Sequence, residues 1–419
     1  MKKYYPIIGL EVHIELNTKS KMFCQCNADY FDKKPNSEVC PVCLGLPGAL
    51  PVPNKRAIEY TQIVAKSLGC KLNKKSRFDR KHYFYPDLPK GYQISQYEEP
   101  FGQEGQVILN NKKITIRRVH LEEDTGKLIH KSNASYIDFN RSGVPLVEIV
   151  TNPDFDNSDD VKVYLEYLHV LVQQYLKVSN ANMEQGSMRL EPNISLSTVK
   201  GKLPNYKIEV KNINSFKYVK RAIDYEIQRQ ESLLNAGKII KNETRGFNEN
   251  KNITFSQRTK ESAKDYRYFP EPDIPPFEFT NLELASFKLP ELPNEKVKRY
   301  IDTEKLNITQ AFTLSKNLKK AELFDKLTAH FKDKNKNFKI ANLIINKLLP
   351  SDVNVITVIK KIENALNPET LISDDIYIHI KDVISANPKA TEDFKSGKEN
   401  ALFFLIGKVL KIGGINLDV

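Results

Sequence analysis

Four of the five cysteines stand within twenty residues, as Cys24-x-Cys26 and Cys40-x-x-Cys43, with 13 residues between the pairs. Ligand pairs one and two residues apart suit a single tetrahedral zinc ion, which takes four thiolates at about 2.3 Å. A redox pair or a disulfide is the competing reading. It is the weaker one, because nothing in the chain resembles a secretory leader and thiols in such chains stay reduced. A four-thiolate site has no open coordination position, so it predicts a structural zinc insert and puts the chemistry elsewhere.

That chemistry is sought among acidic groups at alternating positions. In GLEVHIEL, Glu11, His13 and Glu15 alternate with Leu10, Val12, Ile14 and Leu16. Period two puts the carboxylates and the imidazole on one face of a strand and the apolar set in the core. In SMRLEPNISL, Arg189, Glu191, Asn193 and Ser195 alternate with apolar residues, and in YKIEVK so do Lys207, Glu209 and Lys211. In KITIRRVHLEED the apolar phase slips: Ile114 and Ile116 hold one parity, Val119 and Leu121 the other. A β-bulge at Arg117–Arg118 accounts for the slip, and bulges cluster beside active sites. If this strand lies near the first, Glu11, His13, Glu122 and Glu123 meet on one sheet face. Clustered carboxylates need a cation, and oxygen ligands with one imidazole favour Mg²⁺ or Mn²⁺. A solvated face with ordinary ion pairs is the plain alternative.

A second candidate is DRKHYFYPDLPKGYQIS, residues 79–95, which mixes Arg80, Lys81, His82 and Lys90 with Tyr83, Phe84, Tyr85 and Tyr92. Cations for phosphate and rings for stacking suit a nucleotide or a nucleic-acid end. Phe84 taken alone reads as core. Absent are G-x-x-x-x-G-K-[ST], G-x-G-x-x-G, the kinase catalytic loop and G-x-S-x-G. Any use of ATP must therefore rest on a metal-bearing sheet.

These groups need elements to hold them. At 419 residues the chain is too long for one ordinary domain, and 40% hydrophobic residues suffice for real cores. A net charge of +12 favours a polyanionic partner. Apolar runs such as ALFFLIG fall short of a membrane span, so no membrane contact and a cytoplasmic protein are expected. Residues 1 to about 290 mix strand and helix signals. YFPEPDIPP, residues 268–276, then leads into a lysine-rich helical part. Helices are expected over 55–68 after Asn54, 159–177 after Ser158 and 216–236 after Ser215. Further helices are expected over 294–304, 336–349, 354–366, 375–386 and 391–411.

In this order the chain carries GLEVHIEL, SKMFC, CPVCLGLPGALPVPNKRA, DRKHYFYPDLPKGYQISQ, HLEEDTGK, MEQGSMR, IEVKNINSF, ETRGF and DYRYFPEPD. Together these closely resemble the GatB family of the aspartyl/glutamyl-tRNA(Asn/Gln) amidotransferases, over residues 4 to 300 and in patches beyond. The resemblance implies an α+β fold: a glutamine-synthetase-like, antiparallel-sheet cradle with flanking helices over 1–290. It implies a zinc site at 24–43, a helical domain over 291–350 and a shortened YqeY-like helical tail over 351–419. It implies phosphorylation, with ATP and Mg²⁺ or Mn²⁺, of the side-chain carboxylate of misacylated Glu-tRNA(Gln) or Asp-tRNA(Asn). Ammonia from an amidase subunit, held with a small linker subunit in a heterotrimer, then gives the amide. Glu11, His13, Glu122 and Glu123 would hold magnesium, and Glu191 stands where the family usually has Asp. Arg189, Lys207 and Lys211 would neutralise phosphate. Tyr83, Tyr85, Lys90 and Tyr92 would line the nucleotide and aminoacyl-end pocket. A free-standing ATP-dependent carboxylate–amine ligase and a non-catalytic tRNA-binding scaffold are the rival readings.

Overall fold

The computed structural model describes residues 3–259, 266–346, 359 and 374–413. The strands expected from alternation all form. In chain order they are β1 (Tyr5–Glu15), β2 (Lys71–Leu72), β3 (Lys75–Ser76), β4 (Asp79–His82), β5 (Tyr92–Ser95), β6 (Gly102–Leu109), β7 (Lys112–Glu123) and β8 (Lys127–Lys131). There follow β9 (Ala134–Asp138), β10 (Pro145–Thr151), β11 (Met188–Ser197), β12 (Ile208–Lys211), β13 (Glu243–Asn248), β14 (Ile253–Thr259), β15 (Phe269–Pro270) and β16 (Phe277–Glu278).

Nine of them make one sheet in the order β14-β13-β12-β11-β1-β10-β7-β6-β2. Every pairing is antiparallel except β12 with β13. One face is apolar: Ile8, Leu10, Val12 and Ile14 of β1, Val147 and Ile149 of β10, and Val119 and Leu121 of β7 are all buried. Three helices cover it. α1 (Lys55–Ser67) packs on β6 and β7, α3 (Phe216–Asn235) on β11 and β14, and α2 (Ser158–Val170) along α3. The helix ends follow side-chain caps. Asn54 Oδ1 accepts from Arg56 and Ala57 N–H, and Ser215 accepts from Tyr218 N–H, as expected. The second helix is capped by Asn157, not Ser158, whose hydroxyl instead donates to Asp224. It passes at Leu171 into a π-helical turn to Tyr175.

The bulge lies where the phase slip put it. Val150 pairs with Arg118 and Thr151 with Ile116, which leaves Arg117 without a partner on β10. Opposite it on β6, Glu104 has φ +55° and the β6–β7 register is unbroken.

The chain divides into two units, Met1–Lys296 and Val297–Val419. In the second unit Tyr300, Leu314, Phe324, Leu327 and Ile344 form a buried core contributed by α5 (Pro293–Asp302), α6 (Ile308–Ser315), α7 (Leu318–Phe331) and α8 (Asn337–Ile345). α4 (Asn281–Ser286) belongs to the first unit. The helices over 308–315 and 318–331 are not among those expected from sequence. The expected helix over 391–411 is two, Pro388–Lys395 and Glu399–Gly413, broken where Gly397 takes φ +92°. The helix expected over 354–366 lies outside the described residues, apart from Ile359.

Candidate functional site

The sheet's other face is polar, and its register assembles the site. Reading across four strands, Arg189 of β11, His13 of β1, Glu148 of β10 and His120 of β7 stand side by side. The neighbouring row is Glu191, Glu11, Val150 and Arg118. Glu148 Oε2 lies 3.3 Å from His13 Nε2 and 3.1 Å from His120 Nε2. Glu122 Oε1 lies 3.7 Å from His13 Nε2, and Glu122 Oε2 accepts from Ser95 Oγ at 3.0 Å. Nδ1 of both His13 and His120 is buried without a hydrogen-bond partner.

Two groups of ligand atoms converge here. His13, Glu122 and Glu148 form one, and Glu11, Glu191 and Glu209 the other, each with its atoms within 4.8 Å of one another. The second group offers oxygens alone, which suits a hard divalent cation. Its cationic neighbours are Lys211, 2.9 Å from Glu191, and Lys207, 3.9 Å from Glu11. Beside it opens a cleft of about 650 Å³ lined by Arg189, Glu191, Lys211, Asn212, Phe247 and Phe255, among others.

The charges are mutually set. Burial works against a charged His13, but Glu148, Glu191 and Glu122 outweigh it and push the imidazolium up to about 9. Burial likewise opposes ionised Glu148, yet His120 and His13 hold it well below the usual carboxylate range. Glu11 is pushed up by burial, then by Glu148 and Glu191. Lys81 stays charged despite burial because Glu122, Tyr268 and Glu148 face it.

Of the expected residues, Glu11, His13, Glu122 and Glu191 are brought to this face. Glu123 is not, because successive strand residues point to opposite sides. Its carboxylate instead takes Lys90 Nζ at 2.6–2.7 Å and Ile94 N–H at 3.0 Å. Arg189 sits beside His13, with its guanidinium on Asp124 and 4.0 Å from Glu15. The aromatic run divides. Tyr83 lies by Lys81 and edge-on to Tyr266, Tyr92 lies under the Arg80 guanidinium, and Tyr85 is exposed. Phe84, expected in the core, is 91% exposed, because β4 ends at His82 and residues 83–91 form a loop. Sequence reasoning missed Glu148. Its one signal is a lone carboxylate inside the apolar run PLVEIV.

The cysteine quartet lies in the loop after β1. Its four Sγ atoms fall within 4.8 Å of one another, none in a disulfide. Cys40 Sγ and Cys43 Sγ are 3.9 Å apart, close to the ~3.8 Å edge of a tetrahedron with 2.3 Å metal–sulfur bonds. The donor set therefore fits a metal such as zinc. Cys43 is held down to about 5 by the Cys24 thiol donating to it, by the Cys40 N–H and by Lys21. The same hydrogen bond, then burial, pushes Cys24 up. Lys21 is fully buried. Its Nζ donates to Glu38 O at 2.7 Å and Phe139 O at 3.4 Å and stands 3.7 Å from Cys43 Sγ. A small cavity of about 120 Å³ separates the quartet from Lys90 and Glu123. Among the described residues no helix is long and apolar enough to cross a membrane.

Residues 6–285 match the GatB/GatE catalytic domain and residues 289–414 the GatB domain. The chain is 41% identical to the B-type component of the aspartyl/glutamyl-tRNA(Asn/Gln) amidotransferase of Thermotoga maritima, over 98% of this chain and 95% of the relative. It is 39% identical to the proteins of that name from Carboxydothermus hydrogenoformans and Persephonella marina, again over 98% of this chain and 95% and 96% of theirs. With a catalytic-domain match across the whole sheet and relatives aligned almost end to end, the chain belongs to the GatB/GatE family.

Proposed function

We propose that this chain is the ATP-dependent subunit of a tRNA-dependent amidotransferase. It phosphorylates the side-chain carboxylate of misacylated Glu-tRNA(Gln), Asp-tRNA(Asn) or both, and ammonia then displaces the phosphate to give the amide. The observation that carries this reading is the Arg189–His13–Glu148–His120 row beside an all-oxygen trio, in a chain of this family.

A carboxylate is a poor electrophile. Transfer of the γ-phosphoryl of ATP to its oxygen makes an acyl phosphate and ADP. Attack by ammonia then forms the C–N bond, breaks the C–O bond and releases phosphate and a proton. Phosphoryl transfer between anions needs charge neutralisation and positioning more than covalent help. Glu11, Glu191 and Glu209 would hold Mg²⁺, or Mn²⁺, whose chemistry is to neutralise the transferring phosphate. Lys211 and Lys207 stand beside that trio and add positive charge for the nucleotide in the 650 Å³ cleft. The His13 imidazolium and the Lys81 ammonium, fixed by Glu148 and Glu122, balance the incoming carboxylate. Tyr83, Lys90 and Tyr92 we assign to the aminoacyl end, with Tyr85 at its rim. Zinc is the metal we assign to the quartet.

We read the sheet with its open polar face as the glutamine-synthetase-like cradle of this family, and the helical remainder as two domains, 291–350 and 351–419. The partners inferred are an amidase subunit that supplies ammonia, a small linker subunit and the misacylated tRNA, all in the cytoplasm. The test is reconstitution with those two subunits, ATP, Mg²⁺, glutamine and Glu-tRNA(Gln). Amide formation and ADP release that both require charged tRNA are expected. ATP turnover indifferent to charged tRNA would sink the reading in favour of a small-acid ligase, and no turnover would leave a scaffold.

A further inference from the structure

The bulge in β7 leaves two arginines unaccounted for. Because one residue is inserted between paired positions, Arg117 and Arg118 both emerge toward the polar side of the sheet. They line a cleft of about 590 Å³ with Tyr97, Gln103, Thr115 and Asn152. Arg118 Nε is buried and has no hydrogen-bond partner. Its guanidinium lies over the Tyr97 ring at 5.6 Å, and Tyr97 is stacked on Tyr268 at 4.2 Å and 11°. Tyr97 is thus placed to orient the arginine. Lys113 adds a third cation. Of the two carboxylates lining the cleft, Glu98 is already bonded to Arg77.

This cleft and the 650 Å³ one flank the reaction rows from opposite sides. Arg118 is the β7 end of the row that begins with Glu191 on β11. The β11–β12 flank has the oxygen trio, and a triphosphate travels with a divalent cation, so that flank suits ATP. The β6–β7 flank has arginines and no convergent ligand group among the described residues. A phosphodiester carries one charge per phosphate and needs no metal. Guanidinium forks bind it directly.

We propose that the Arg117–Arg118 cleft is a phosphate-binding subsite for the acylated RNA. It seats the backbone next to the terminal nucleotide, about two strand spacings, or ~10 Å, from His13. The ester-bearing end is thereby carried to the row while ATP enters from the other side. This rests on the function proposed above and adds where, and by which groups, the RNA is held.

The test uses the reconstituted three-subunit complex, with Glu-tRNA(Gln) binding followed by filter retention across a salt series and KM measured for both substrates. Arg117→Ala and Arg118→Ala should each weaken RNA binding about ten-fold, the worth of one charge-assisted hydrogen bond. Each should also lower the slope of log affinity against log salt by about 0.7, as for one single-strand phosphate. KM for the RNA should rise by the same factor and KM for ATP should stay within about two-fold. A rise in KM for ATP with RNA affinity intact would make the cleft a triphosphate site and overturn the proposal. Wild-type affinity and wild-type salt slope in both variants would overturn it too. Arg117 is exposed, so Arg117→Ala with Lys113→Ala decides the matter if Arg118→Ala melts early. The two readings fail separately. A complex that binds charged tRNA through these arginines but never amidates it removes the proposed function alone. A complex that amidates with no loss in the variants removes this subsite alone.

Discussion

The cysteine quartet and the acid–histidine face both gather metal-capable side chains, but they are built in opposite ways. The quartet comes from one stretch of twenty residues, offers four soft donors and closes around its centre. The polar face takes its groups from five strands between residues 11 and 211 and has clefts on both flanks. A site made from one loop needs only that loop to order, whereas one made by strand register needs the whole sheet. The first can stabilise without reacting. The second is open to ligands from both flanks.

The sharpest way to break that contrast is Glu148→Gln. Glu148 is the shared partner of two imidazoles, so its loss should cut single-turnover acyl-phosphate formation by about 10²-fold or more while charged tRNA still binds. Retention within ten-fold would remove Glu148 from the reacting groups. Glu123→Gln, facing the other way, should do less. Equal losses would mean that the two sides of the sheet are chemically one site.

Cys40→Ser should act in the opposite sense. Zinc content by emission spectroscopy should fall, and the melting temperature should drop by roughly 5–10 °C, while the rate per folded molecule changes little. A rate loss larger than the folding loss would make the quartet part of the chemistry.

His13 supplies a pH test of the face. Its folded-state value of about 9 lies above the ordinary histidine value of 6.5. The stability it adds is therefore fully present below pH 6.5 and is lost as pH rises through 9. Urea unfolding of the metal-free chain should show His13→Asn costing up to ~3 kcal/mol at about pH 6 and much less at about pH 10. A cost that does not vary with pH would show that His13 is neutral in the folded chain. Smallest of all, Lys21→Met should release zinc to a chelator roughly ten-fold faster with little change in the melting temperature of the metal-loaded protein. An unchanged release rate would make Lys21 a packing residue.

The same contrast governs how much could be read from sequence. The quartet is local, so spacing sufficed. On β1, β7, β11 and β12 polar and apolar residue types alternate along the strand, so alternation exposed both the polar face and the bulge. β10 is buried along nearly its whole length, which erases alternation and hid Glu148 at the centre of the row. Glu122 and Glu123 are adjacent in sequence and so were grouped, although strand parity separates them. Phe84 taken alone looked like core because its side chain is apolar, but the backbone has left the strand by residue 83. The two unforeseen helices, 308–315 and 318–331, are capped by Asn307 and Asn317. Only Lys316 and Asn317 part them, too little to break an apolar pattern visibly.

Lys21 also ties the quartet to its surroundings by charge. A fully buried ammonium whose oxygen partners are two neutral carbonyls is a poor guest in a folded interior. Four thiolates around a divalent cation carry a net double negative charge, and one of those sulfurs lies 3.7 Å from Nζ. Each charge makes the other tolerable. A metal on the quartet would therefore tighten the loop that supplies Glu38, Cys40 and Cys43 against the Phe139–Gly143 turn. Loading of the quartet would then also bear on how firmly the segment that follows β1 is held.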